Sequence, residues 1–419
     1  MIKIKIEGKR PLSGEIRVQG SKNAALPILA ATLLCDGDCL IKNVPPISDI
    51  SNMQLLLSTT GKHTQLTGQA YLCEASKEIS PFASYDITNR LRASFLVAGP
   101  LLARQGYAEV AYPGGCPIGA RPVDLHLKGF AGLGASIHTK NGYISLKANK
   151  LKGAKIYLDF PSVGATENLM MAATLAKGTT LIENVAAEPE IINLANFLNK
   201  MGAEITGAGT DTIKIQGVSS LHGGSHTIIP DRIEAGTYML AAAATGGKIT
   251  VTNVISEHLN SLIAKLKETG TTVTVAPTAI TVEGKSSYRA ADIKTMPYPG
   301  YPTDLQAQFC AMMCCAKGTS IVTETIFENR FMHIGELKRL GAKITTEGRT
   351  AIIEGTPRLN GAEVCASDLR ACASLLIAGL MAEGTTVVSD SGHLIRGYYN
   401  IFENLKNLGA KIELLSKNL

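Results

Sequence analysis

At 419 residues and 45% hydrophobic content, the chain can build two or three ordinary domains with substantial cores, which excludes a disordered protein. A net charge of +6 with 5% aromatics suits small anionic ligands and excludes a nucleic-acid binder, which would carry basic stripes interleaved with stacking rings. No apolar run reaches the roughly 18 residues of a membrane span, and the opening MIKIKIEGKRPLSGE lacks the apolar stretch of a secretion signal. A cytoplasmic protein without membrane insertion is expected. The nine cysteines are odd in number and contain no CxxC, so a reduced chain is expected as well. Cys35, Cys39, Cys310, Cys314, Cys315 and Cys372 fall in apolar patterns and read as core residues.

In chain order, the first predicted element is a strand, IKIKIE, with alternating apolar and charged residues. Six look-alike segments follow: NAALPILAATLLCDGDCLIKNV, RASFLVAGPLLARQGYAEV, NLMMAATLAKGTTLIENV, TYMLAAAATGGKITVTNV, AQFCAMMCCAKGTSIVTET and ACASLLIAGLMAEGTTVVSD. Each reads as an apolar helix of small residues, a glycine turn and a β-branched strand. The turn glycines are Gly37, Gly106, Gly178, Gly247, Gly318 and Gly384, about 70 residues apart, a period typical of a repeated unit. A second helix follows each strand and ends at Gly61, Gly134, Gly202, Gly270, Gly341 or Gly409, most often within Leu-Gly-Ala. The first copy departs, with Lys62-His63 after its glycine. A strand pair then closes each unit. The sixth copy lacks its closing strands, and residues 1–21 resemble them. The expected fold is α/β, with six repeats of a roughly 70-residue helix/strand unit, three per domain. The domains are drawn at 22–229 and at 1–21 plus 230–419.

The copies differ in informative ways. Their first helices begin at Lys22, Arg92, Gly164, Arg232, Asp304 and Arg370. The helix dipole disfavours a solvated cation at its N-terminus, so four basic residues in six equivalent places point to bound anions. Asp304 breaks the set, as a helix cap or as a carboxylate placed for general-base work in a positive setting. The second copy has the longest link, and its extra residues form YPGGCPIGARP. A glycine-rich insertion that carries Cys116 near Arg121 reads as a loop built around a reactive thiol. Arg330, His333 and Arg396 read individually as surface or helix-end groups, and Asp124 as a cap of its helix. No phosphate-loop, zinc or GxSxG pattern occurs.

The stretches GSKNAALPIL, PGGCPIGARPVDLH, SVGATEN, PDRIEAGT, YPTDLQAQF, FENRFMH and DLRACASL resemble the enolpyruvyl transferases along essentially the whole chain. Within that family, the loop around Cys116 resembles the branch whose acceptor is UDP-N-acetylglucosamine. The resemblance implies a two-domain inside-out α/β barrel with the active site in the interdomain cleft. It also implies transfer of enolpyruvate from phosphoenolpyruvate to the sugar 3-hydroxyl with release of phosphate, the first committed step of peptidoglycan synthesis. Carried onto this sequence, Cys116 is the general acid and can form a covalent adduct with phosphoenolpyruvate; Asp304 is the general base, and Lys22 and Arg396 complete the catalytic set. Lys22, Asn23, Arg92, Arg121, Arg370 and Arg396 hold phosphoenolpyruvate. Arg92, Arg121, Pro122, Val123, Asp124, Leu125, Ser162, Val163, Gly164, Asp304 and Ile326 surround the sugar nucleotide. No metal or other cofactor is implied. Phe160 stands where some relatives carry a basic residue. The alternatives are a 5-enolpyruvylshikimate 3-phosphate synthase-like transferase and a non-catalytic scaffold of repeats that binds anions.

Overall fold

The computed structural model describes residues 2–67, 70–113 and 123–415, and these fall into two compact units. One comprises 20–113 and 123–229, the other 2–19 and 230–415. The chain is mixed α/β, and the described residues form six four-stranded sheets. No helix among them is long and apolar enough to cross a membrane.

All six sheets share one plan. A central strand takes a parallel partner on one side and an antiparallel hairpin on the other. In the first unit the sheet on Cys39–Lys42 has Gly224–Thr227 parallel to it and Ala70–Cys73 antiparallel, with Thr64–Thr67 beyond. The same plan holds around Tyr107–Ala111 and Thr179–Glu183. In the second unit it holds around Lys248–Thr252 and Thr319–Thr323. Around Thr385–Asp390 the N-terminal strand Ile2–Glu7 completes the plan, pairing with both Thr385–Asp390 and Lys411–Leu414.

One expectation needs correcting. The closing strands of each segment do not pair with each other. Thr212–Gln216 stays in its own sheet, whereas Gly224–Thr227 runs parallel to Cys39–Lys42 at the start of its unit. Residues 1–21 complete the last segment by the same exchange. Ile2–Glu7 joins the last sheet, but Ser13–Arg17 runs parallel to Lys248–Thr252. The reason is geometric: hydrophobic alternation fixes which face of a strand is buried and is silent on its neighbour. Each unit is thereby tied from its last segment to its first. The fourth turn also shifts by one residue, since Gly246 holds the left-handed cap (φ 67°).

The first helices are buried almost all round. In Leu369–Met381 every residue from Arg370 onward is buried, as is every residue of Gln306–Met313. A helix apolar on all sides belongs inside a core, and small side chains let such helices approach closely. The sheet strands alternate buried and exposed residues, with one face left toward solvent. Gly99 shows how tight the helix packing is. A Cβ there would lie 2.3 Å from the Asn168 carbonyl oxygen and 2.5 Å from its Oδ1. Asn168 accepts from the Gly99 N–H (2.7 Å) and donates to the Phe95 carbonyl (2.8 Å). Gly99→Ala is expected to cost about 1–3 kcal/mol, read as a lower urea midpoint with an unchanged slope.

The second unit contains a buried acid whose titration opposes folding. Glu234 accepts from the Gln19 N–H through Oε2 (2.8 Å), while its buried Oε1 has no hydrogen-bond partner. Burial, then the charge of Asp231, pushes its carboxyl up to about 8. The unfolded chain releases this proton near pH 4.3, and the folded chain keeps it to higher pH. Stability is therefore greatest below the unfolded value and falls as pH rises toward the folded one. Glu234→Gln keeps the acceptor and removes the titration. It is expected to raise the thermal midpoint at about pH 9 and leave it nearly unchanged at about pH 4.

Candidate active site

The unit of residues 20–113 and 123–229 carries one group of the sequence-predicted residues. Lys22 and Asn23 open the helix Lys22–Ala31, capped by Ser21, whose Oγ accepts from the Ala24 N–H (3.3 Å). The Lys22 ammonium lies 2.8 Å from Asp49, an almost fully buried carboxylate on Ser48–Thr59. Arg92 opens the 3-10 turn Arg92–Val97. This turn and the helix Lys22–Ala31 both pack on Val163–Ala173. Ser162 caps that last helix through the Ala165 N–H (3.3 Å), and Val163 and Gly164 are its first residues.

Val123, Asp124 and Leu125 lie at the start of the helix Asp124–Gly132. Asp124 does not cap it: Val123 holds the cap position, and Asp124 sits in the first turn, where its charge suits the dipole. Gly164 leaves room for His126, whose ring would be 3.4 Å from a Cβ there, and His126 Nδ1 is 3.1 Å from Asn168. Burial pulls the imidazole down to about 4 and keeps it neutral. Phe160 is exposed and puts no charge beside Ser162. Cys116, Arg121 and Pro122 lie outside the described residues.

The other unit carries a charged cluster that closes around Asp304. This residue stands in the 3-10 turn Thr303–Leu305, and its side chain caps no helix. Arg370 reaches its Oδ2 at 2.8 Å and Arg330 its Oδ1 at 2.7 Å. Burial by itself would raise the Asp304 carboxyl. The charges of Arg370 and Arg330, then their hydrogen bonds, overcome burial and hold it well below the usual carboxylate range. Arg330, read from sequence as a surface or helix-end group, is buried, and so is His333. Arg396 ends the 3-10 turn Leu394–Arg396.

Neighbours that carried no sequence signal fix these arginines. Arg370 Nη1 donates to the Tyr398 hydroxyl (2.9 Å), which also meets Thr237 Oγ1 (2.9 Å) and the Gln308 amide (3.3 Å). Arg330 also donates to Thr303 Oγ1 (2.7 Å), which donates in turn to Glu324 (2.8 Å). Glu324 accepts from the backbone N–H of Ile326 (2.9 Å) and Phe327 (3.2 Å), which sets the turn that bears Ile326. Arg330 lies over the Phe327 ring, 4.9 Å from its centroid. The cluster supplies an ionised carboxylate between two rigidly held cations.

Lys22, Arg92, Arg232 and Arg370 each occupy the first or second residue of a helix. Arg232 and Arg370 follow aspartate caps, Asp231 and Asp368, that already satisfy backbone N–H groups. Gly164 and Asp304 hold the second residue of theirs.

The family model described as EPSP synthase (3-phosphoshikimate 1-carboxyvinyltransferase) matches residues 6–405. UDP-N-acetylglucosamine 1-carboxyvinyltransferase 1 of Caldanaerobacter subterraneus is 54% identical over 411 residues, covering 98% of this chain and 99% of the relative. UDP-N-acetylglucosamine 1-carboxyvinyltransferase 2 of Carboxydothermus hydrogenoformans is 54% identical over 418 residues, covering 99% of this chain and 100% of the relative. The crystal structure of the enolpyruvyl transferase NikO from Streptomyces tendae superposes with a TM-score of 0.89 at 25% identity, covering 99% of each chain. EPSP synthase from Acinetobacter baumannii shares the fold, with a TM-score of 0.74 at 18% identity over 99% of this chain and 100% of that one. With the family model spanning nearly all of its length, this chain belongs to the EPSP synthase family of enolpyruvyl transferases.

Proposed function

We propose that this protein transfers the enolpyruvyl group of phosphoenolpyruvate to the 3-hydroxyl of UDP-N-acetylglucosamine and releases phosphate. The observation that carries this reading is the 54% identity, over 98% and 99% of the chain, to two relatives named for that activity. The product commits the sugar nucleotide to peptidoglycan, which sets the reaction in the cytoplasm. The six sheets of one plan support a matching proposal for the architecture: six copies of one unit, three to a domain, helices inside and sheets outside.

Adding an alcohol to an enol phosphate needs an acid at the methylene carbon and a base at the hydroxyl. It also needs cations around a strongly anionic reactant. In this reading Cys116 delivers the proton to the methylene, and it can also hold the reactant as a covalent adduct. Lys22, Asn23, Arg92, Arg121, Arg370 and Arg396 take up its phosphate and carboxylate. The nucleotide lies against Arg121 to Leu125, Ser162 to Gly164 and Ile326. Phosphate leaves by C–O cleavage of the tetrahedral intermediate, so no metal is required to activate it.

The role of Asp304 follows from its partners. Clamped by Arg330 and Arg370, its carboxylate accepts a hydrogen bond from the sugar hydroxyl but is a weak base. An anionic substrate that draws Arg370 toward itself removes part of the clamp and raises the basicity of Asp304 as the hydroxyl arrives.

The test is phosphate release from phosphoenolpyruvate with UDP-N-acetylglucosamine or shikimate 3-phosphate as acceptor. Release with the sugar nucleotide alone is expected. Release with only shikimate 3-phosphate, or with neither, overturns the proposal.

A further inference from the structure

The structure gives a setting to the irregularity after the first copy's second helix. Lys62 takes a place where four of the other five copies carry alanine and the fifth Thr271, and its side chain is completely buried. Its ammonium donates to the carbonyls of Gly37 (3.2 Å) and Cys35 (3.5 Å). Among the described residues it forms no ion pair with a carboxylate, and a buried cation without a counter-charge is costly. The nearby Asp36 is bound by Arg104, and Asp38 accepts from the Ala75 N–H (2.6 Å). The groups beside Lys62 that can carry negative charge are the thiols of Cys35, Cys39 and Cys73. Cys35 Sγ lies 3.6 Å from Cys39 Sγ. Both thiols are buried beneath a turn whose Asp36 and Asp38 face solvent.

We propose that Cys35 and Cys39 form an oxidisable dithiol that hydrogen peroxide converts to an intramolecular disulfide, with Lys62 as the cation that stabilises the reacting sulfur. The inference is independent of the function proposed above. Cys35 is the attacking group. The hydrogen bond from Cys39 pulls its thiol down to about 6 against burial, and the charges of Lys62 and Arg104 act in the same direction. The same hydrogen bond, with burial, pushes the Cys39 thiol up. One sulfur of the pair is thus prepared as nucleophile and the other as resolving thiol.

The chemistry balances in two steps. The Cys35 thiolate attacks one peroxide oxygen, the O–O bond breaks, and Cys35 becomes a sulfenic acid as hydroxide leaves. The Cys39 sulfur then attacks the Cys35 sulfur, the S–O bond breaks, and the Cys39 proton leaves with that oxygen as water. Two electrons pass from the two sulfurs to peroxide. Closure requires the sulfurs to approach from 3.6 Å to a bonding distance of about 2 Å. Cys73 lies opposite Cys39 in the sheet, but burial pushes its thiol up to about 12, which leaves it a poor competitor.

The experiment treats the reduced, folded full-length chain with hydrogen peroxide, alkylates the remaining thiols after unfolding, and maps tryptic peptides by mass. Cys35 and Cys39 share the peptide 23–42. This peptide is expected to lose the mass of two hydrogens, to resist alkylation at both sulfurs, and to recover on reduction. For one unit of lost thiol acidity, Lys62→Met is expected to slow the loss close to tenfold at about pH 5 and only about twofold at about pH 7. Full alkylation of Cys35 and Cys39 in the treated wild-type chain, or a Cys39–Cys73 link in its place, would overturn the proposal without recourse to any variant.

Discussion

Asp304→Asn is expected to lower kcat by about two to four orders of magnitude, the range in which a positioned base contributes. The amide keeps the size of the carboxylate and can still accept a hydrogen bond from Arg330 or Arg370. What it loses is the charge that both arginines face and the ability to take a proton. The two guanidiniums then lie closer to the electrostatic needs of an anionic substrate. The affinity for phosphoenolpyruvate is therefore expected to hold or rise while turnover collapses. That split separates a chemical role from a structural one. If Asp304 served only to keep the arginines in place, the asparagine variant would keep kcat within a few-fold. Steady-state kinetics together with direct binding of phosphoenolpyruvate decide between the two.

Cys116→Ala is expected to cause a loss of similar size, because it removes the acid assigned to the methylene carbon. Cys116→Asp discriminates more sharply. A general acid must be protonated to act. A thiol with an ordinary value near 8.5 meets that condition at neutral pH, whereas a carboxyl near 3.9 meets it only in acid. The aspartate variant is therefore expected to keep measurable activity with its optimum moved to lower pH. It is also expected to resist fosfomycin, an epoxide that can alkylate a thiol, while the wild-type chain is inactivated. An aspartate variant that remains fully sensitive would show that the drug acts on another residue. This prediction stands on the length and glycine content of the loop and on the family resemblance.

The sequence disclosed residues whose meaning is local and repeated. Lys22, Arg92, Arg232 and Arg370 could be found because look-alike segments of the sequence place them at comparable helix starts, and each does open a helix or take its second residue. The partners that make Asp304 chemically distinct were not legible. Arg330 read as a surface or helix-end charge because its counter-ion lies 26 residues away in the chain. Tyr398 and Thr237 meet across 161 residues and belong to no local pattern. Asp49, which holds Lys22, carries no sequence mark of its burial. The strand exchange that ties the ends of each unit escaped for a related reason, since a period of two does not name the neighbouring strand. Lys62 was visible as a departure from the repeat, but its burial among carbonyls and thiols is a tertiary fact.

The most direct test of addition followed by elimination at this site is the reaction run in deuterium oxide with phosphoenolpyruvate and UDP-N-acetylglucosamine. Protonation of the methylene carbon by an acid that exchanges with solvent creates a methyl group carrying deuterium. Loss of one of its three hydrons then leaves deuterium in part of the product. The expected result is a sugar nucleotide heavier by one enolpyruvyl group, with deuterium at the vinyl position and one phosphate released per product. A product free of deuterium would contradict the account, as would phosphate release without a modified sugar nucleotide.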